Sequence, residues 1–209
     1  MRFTTSVLVL AIGVPLMAGA QVDTLSLAGR SNLMLGIGLT GERNTTASGS
    51  QASVTTTKGE AGSFSFNHWV RPEIGVVISA SLLSASSSAG VSGSGASASA
   101  IFPLLFGVSY SPRALALSQS IRPFVSAAAG PYIHTVSDAK LFDASHYSET
   151  VLGARLSTGA NWFVARHFTV SVEGSYHAIG EFARQDAVTR DPSGFGMNVG
   201  FGFAWGSDR

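Results

Sequence analysis

The stretch Gly194-Phe195-Gly196-Met197-Asn198-Val199-Gly200-Phe201-Gly202-Phe203-Ala204-Trp205 places a large apolar side chain at every second position. Glycine, asparagine or alanine fills the positions between them. Successive side chains of a strand point to opposite faces, so one face here is greasy and aromatic and the other is nearly bare. A soluble strand buries its large residues against a second layer, and nothing helical in the chain supplies one. A strand in a membrane meets lipid with that face instead. The stretch reads as the closing strand of a transmembrane β-barrel. The fold class expected is all-β: an eight-stranded antiparallel up-and-down transmembrane β-barrel.

Composition agrees. The chain has 209 residues, of which 45% are hydrophobic and only 12% charged, and it contains no cysteine. That length fits one domain. The lack of cysteine removes disulfides, thiol catalysis and thiolate metal sites together. Arg2, the apolar run Val7 to Met17 and the small residues Ala18-Gly19-Ala20 have the layout of a secretory signal peptide over residues 1–20. The run falls short of the roughly 20 residues a spanning helix needs. The mature barrel domain is then expected over residues 21–209, starting near Gln21. Removing Arg2 leaves 12 Lys+Arg (13 minus 1) against 12 Asp+Glu, a balance that gives no electrostatic reason for a nucleic-acid partner.

Eight strands can be placed, near Ser31–Thr40, Ala61–Val70, Ile74–Leu82, Ala100–Tyr110, Phe124–His134, Val151–Phe163, Phe168–His177 and Gly194–Trp205. A Ser/Thr/Gly-rich loop is expected over Gly41–Gly59. The low-complexity stretch Ser84–Ser99 reads either as a mobile loop or as a small-residue extension of the third and fourth strands. Connections after odd-numbered strands are long and polar, and those after even-numbered strands are shorter. Outer-membrane barrels have short periplasmic turns and longer extracellular loops, so both chain ends are expected on the periplasmic side.

Charge placement tests this map. Almost every charged residue falls in a loop, a turn or a strand edge, and only Arg155 and Glu173 fall mid-strand. By parity Arg155 shares its face with Gly153, Ser157, Gly159 and Asn161, and Glu173 shares its face with Thr169, Ser171, Ser175 and His177. Both point to the lumen, where an unpaired charge is costly. A structural ion pair between them is expected. Trp69, Tyr110, Tyr132, Trp162, Tyr176 and Trp205 lie toward strand ends and are expected to form an aromatic girdle at the membrane–water interfaces.

The run Gly153-Ala154-Arg155-Leu156-Ser157-Thr158-Gly159-Ala160-Asn161-Trp162-Phe163, followed by Thr169-Val170-Ser171-Val172-Glu173-Gly174-Ser175-Tyr176, resembles the closing strands of the outer-membrane β-barrel domain superfamily. That superfamily includes the OmpA, OmpX and OmpW types. Arg122-Pro123-Phe124-Val125 resembles the start of its fifth strand. Asn198, Gly200, Phe203 and Trp205 resemble the insertion signal read by the barrel-assembly machinery, although the family usually ends on the last aromatic and this chain continues with Gly206-Ser207-Asp208-Arg209. The resemblance implies a Gram-negative cell outer membrane as the location, with outer-membrane lipids and the barrel-assembly machinery as partners.

Eight strands leave an interior just wide enough for side chains to fill, whereas aqueous porins use about 16–18. The first expectation is therefore a monomer with a structural or surface-interaction role through its extracellular loops. The alternatives are a narrow channel or binder for small apolar molecules, and a lipid A-modifying enzyme. For catalysis, the nearest triad-like material is His134 with Ser137 and Asp138, and Ser145-His146 in the same outer segment. No catalytic residue is assigned, because convergence of a nucleophile and a base is not visible in sequence. The five histidines show no ligand spacing, so no metal or other cofactor is expected.

Overall fold

The computed structural model describes residues 26–46, 53–89, 96–118, 120–140, 143–183 and 192–206. The expected signal peptide, residues 1–20, lies outside them. Eight strands follow in order: β1 (Arg30–Thr46), β2 (Ser53–Trp69), β3 (Ile74–Ala89), β4 (Ala96–Tyr110), β5 (Ile121–Lys140), β6 (Asp143–Ala165), β7 (Phe168–Ile179) and β8 (Gly194–Gly206). Each pairs antiparallel with its sequence neighbour, and β8 returns to β1 to close the barrel. The closing ladder runs from Arg30↔Gly206 to Leu39↔Met197. Closure matters because no water is available in hydrocarbon to satisfy a free backbone edge.

The two walls differ as the alternation requires. Leu35, Ile37, Phe106, Val108, Leu152, Leu156, Phe195 and Phe201 are exposed on the outside. Asn32, Ser79, Ser109, Arg155, Ser171 and Asn198 are buried on the inside. The apolar belt spans Phe102 to Tyr110 on β4 and Phe195 to Trp205 on β8, close to the roughly 9–11 residues a tilted strand needs to cross a bilayer.

Two expected connections are continued strand over their described residues, and Ser84–Ser99 follows its strand-extension reading. β1 and β2 stay paired from Gly41↔Lys58 to Thr46↔Ser53, so the described part of the loop expected over Gly41–Gly59 is strand. The Ser84–Ser99 stretch extends β3 and β4, paired from Ser84↔Ile101 to Ala89↔Ala96. β5 and β6 pair up to Lys140↔Asp143. The physical reason is that these segments continue past the apolar belt, where neither face needs apolar residues and no alternation marks the strand. β7 and β8 stop lower. The β6–β7 ladder reaches only Gly153↔Ile179, and β8 leaves β1 at Leu39. Beyond the closed barrel, β1 to β6 therefore continue as a paired sheet with no β7 or β8 ladder beside it among the described residues.

The girdle needs two corrections. Trp69 is 1% exposed and Tyr132 is 0% exposed, and both point inward. Parity explains this: Trp69 shares the inner face of β2 with Ser65 and Asn67, and Tyr132 shares that of β5 with Ser126 and Ala128. The other four aromatics, Tyr110, Trp162, Tyr176 and Trp205, are on the outer wall. Tyr176 packs against Phe195 with ring centroids 4.8 Å apart.

Inside, one apolar layer is formed by Leu27, Trp69, Phe163 and Ala204 at the end that carries the chain termini. A second, formed by Leu83, Ile101, Leu105, Tyr132 and Phe182, lies toward the other end. Between β2 and β3 the register shifts at Lys58/Gly62, leaving Glu60 in a bulge that points inward. Gly38 of β1 accommodates that bulge, since a Cβ there would sit 1.2 Å from the Glu60 carbonyl oxygen.

Replacing Phe201 by Arg should destabilise the inserted barrel by about 2–4 kcal/mol, whereas Leu117→Arg, outside the strands, should cost no more than about 1 kcal/mol. Urea unfolding from lipid vesicles measures both. Equal, small losses would mean that the outer wall does not face hydrocarbon.

Candidate functional site

The lumen holds the chain's concentrated polar chemistry. β6 and β7 are adjacent, with Arg155 opposite His177 in the ladder. The Arg155 guanidinium reaches diagonally to form an ion pair with the Glu173 carboxylate. Its second terminal nitrogen donates to Ser79 Oγ at 3.4 Å, on the far wall. Burial strengthens such a pair and makes the loss of one partner expensive.

Around the pair lies a cavity of about 60 Å3 lined by Asn32, Asn67, Asn161, Asn198 and serines from several strands. By the ~10–15 Å3 that one water centre needs, it is large enough for roughly four to six waters. The wall is mostly self-satisfied. Asn67 Nδ2 donates to Ser109 Oγ at 3.0 Å, Ser126 and Ser157 share a hydrogen bond of 2.6 Å, and Asn198 Nδ2 donates to Ser63 Oγ. Asn32 Oδ1 and Arg155 Nε have no protein partner, which leaves capacity for a small polar guest. The two apolar layers lie beyond the chamber on either side.

A second buried network sits above it. Ser175 Oγ donates to Glu60 Oε2 at 3.4 Å and lies 3.4 Å from His177 Nε2. Tyr132 Oη is 3.0 Å from His177 Nδ1. Glu60 is fully buried, which corrects the expectation that Arg155 and Glu173 are the mid-strand charges. It was missed because the bulge carries β2 past the first alternating residue; Lys58-Gly59-Glu60 directly before the run was the available signal. The order is also wrong for nucleophilic catalysis. The serine touches both the carboxylate and the histidine, while the carboxylate does not orient the histidine as a base would need.

At the terminal end, Arg30 Nη2 donates to the Arg166 carbonyl at 2.7 Å, and the Arg30 guanidinium lies 5.4 Å from the Phe163 ring centre. Arg122 is fully buried and donates from Nη2 to the Ser111 carbonyl at 3.0 Å.

The triad-like residues separate. His134 is buried and faces inward, 3.2 Å from Ser99 Oγ. Ser137 Oγ instead lies 3.3 Å from His146 Nδ1 on the exposed outer face. The side chains of Asp138 and Ser145 lie outside the described residues. No group of three His, Cys, Asp or Glu among the described residues is placed to hold a metal ion. Of the expected insertion signal, Asn198 and Gly200 face the chamber. Phe203 and Trp205 face outward and stack at 6.0 Å.

A closed eight-stranded wall, apolar outside and polar inside, is the architecture of a small transmembrane β-barrel. No family profile and no curated protein sequence matches the chain. Solved structures do. Ail, the attachment invasion locus protein of Yersinia pestis, in complex with the heparin analogue sucrose octasulfate, matches with a TM-score of 0.53 at 9% identity, over 85% of this chain and 99% of that one. The outer membrane protein OprG of Pseudomonas aeruginosa matches with a TM-score of 0.51 at 14% identity, over 88% of this chain and 100% of that one. The fold is that of the small outer-membrane β-barrels, which the sequence resemblance implied.

Replacing Arg155 by Ala should cost about 3–5 kcal/mol, because it leaves the Glu173 charge buried and unpaired. The joint replacement Arg155→Met with Glu173→Leu should recover most of that loss. Urea unfolding of the parent, the single variants Arg155→Met and Glu173→Leu and the double variant in one detergent closes the cycle; additive losses would show that the pair is uncoupled.

Proposed function

We propose that the protein sits in the outer membrane as a surface-interaction protein and engages its partner through the sheet that rises beyond the closed barrel. The observation that carries this reading is the register. The β1–β2 and β5–β6 ladders run on to Thr46↔Ser53 and Lys140↔Asp143, whereas the ladders of β7 and β8 have already ended. Among the described residues, β1 has no ladder partner on its β8 side from Thr40 to Thr46. A strand edge of that kind is a template for backbone pairing with an extended segment of another protein.

A conduit is less well supported. The chamber has an apolar layer on each side, and the Arg155–Glu173 pair and four asparagines share its lining with Met34, Val77, Phe124 and Ala128. Catalysis on lipid A has only the Ser137–His146 contact in its favour, with no described carboxylate on that histidine.

Two measurements test the reading. The intact barrel in a planar bilayer should pass no steady ionic current; a stable current would favour the conduit. Excising residues 42–57 shortens β1 and β2 evenly, because Glu42 pairs with Thr57. Proteoliposomes carrying the shortened protein should still show a folded barrel by heat-modified electrophoretic mobility. They should lose retention on immobilised serum and matrix proteins that bind the full chain. Unchanged retention would place recognition elsewhere.

A further inference from the structure

The terminal end of the barrel carries a pattern that its outer belt does not explain. Each of the three connections at this end holds one exposed arginine: Arg71 between β2 and β3, Arg113 between β4 and β5, and Arg166 between β6 and β7. No carboxylate among the described residues pairs with any of these three guanidinium groups. The nearest acid in the same turns, Glu73, accepts the backbone N–H of Arg113 at 3.0 Å.

Each arginine is also flanked by exposed apolar side chains. Val70 and Ile74 flank Arg71, Leu115 and Leu117 follow Arg113, and Val164 and Phe168 flank Arg166. Tyr110, Trp162 and Trp205 close the belt at the same level. Arginine keeps its charged head in water while its stem lies along apolar surface, so this arrangement suits a boundary between acyl chains and headgroups. Counting the buried Arg30 and Arg122, the described charges at this end are five arginines against Glu73. The whole sequence is almost neutral, at +1. The excess is therefore a matter of placement.

We propose that Arg71, Arg113 and Arg166 form a three-point contact with the phosphates of anionic glycerophospholipids in the leaflet that faces the chain termini. The inference rests on the membrane-barrel reading and adds a lipid class to it. Arginine is suited to this partner because its planar fork of donors matches phosphate oxygens. Three contacts spaced around the rim hold the barrel at one depth, which a single site would not do.

The test uses the full chain refolded into phosphatidylcholine vesicles, with and without phosphatidylglycerol. Protease protection in phosphatidylcholine alone reports whether the barrel inserts; failure there overturns the membrane reading and this inference with it. Given insertion, phosphatidylglycerol should lower the unfolding equilibrium constant, a gain in stability of the inserted state, by about fivefold per arginine and so by about a hundredfold for three. High salt should reduce the gain. The variant Arg71→Gln/Arg113→Gln/Arg166→Gln should insert in phosphatidylcholine as the parent does and lose that gain. An equal gain in the variant, or no gain in the parent, overturns the inference. So does an equal gain from inorganic phosphate in vesicles lacking phosphatidylglycerol, which would assign the arginines to a soluble anion.

Discussion

Everything in this molecule depends on the seam between β1 and β8. In hydrocarbon an unpaired strand edge costs several kcal/mol for each unsatisfied group. The first strand must therefore find the last across nearly the whole sequence. The ladder from Arg30↔Gly206 to Leu39↔Met197 does this and fixes both faces at once. A slip of one residue would turn Phe195, Phe201 and Phe203 into the lumen and the glycines out to lipid. The bare inner face of β8 has a packing reason as well. Met34 and Asn32 of β1 lean over it, and a Cβ on Gly202 would lie 2.2 Å from Met34 Sδ.

With the wall closed, the interior is set by what a narrow barrel can hold. Two apolar layers flank a polar middle, and the charges there are tolerated through partners: Arg155 with Glu173 and Ser79, and Glu60 with Ser175. This is the construction of a filled scaffold. The surface contact and the lipid contact proposed above both lie at its rims. One rim extends as strands beyond β7 and β8, and the other carries the exposed arginines.

The sequence made the transmembrane wall legible because lipid imposes a strict alternation. Phe195 through Trp205 and Phe102 through Tyr110 can be read directly, and parity alone turns Arg155 and Glu173 inward. It failed where that constraint lapses. Beyond the lipid both faces of a strand meet water, so Gly41–Gly59 carries Ser, Thr and Gly without alternation and looks like a loop, while Ser84–Ser99 reads equally as loop or as strand extension. Nearness to a strand end suggests an interfacial place for Trp69 and Tyr132, but parity puts them on the face opposite Phe66 and Ile133. The Glu60 bulge breaks parity itself, and no count along the strand anticipates it.

The layered interior has a consequence for motion. Leu27, Trp69, Phe163 and Ala204 lie on one side of the chamber, and Leu83, Ile101, Leu105, Tyr132 and Phe182 lie on the other. A solvent molecule lodged beside Arg155 has one of these layers between it and each end of the barrel. Its residence time therefore reports on the packing of those aromatic rings as well as on the charged pair it bathes.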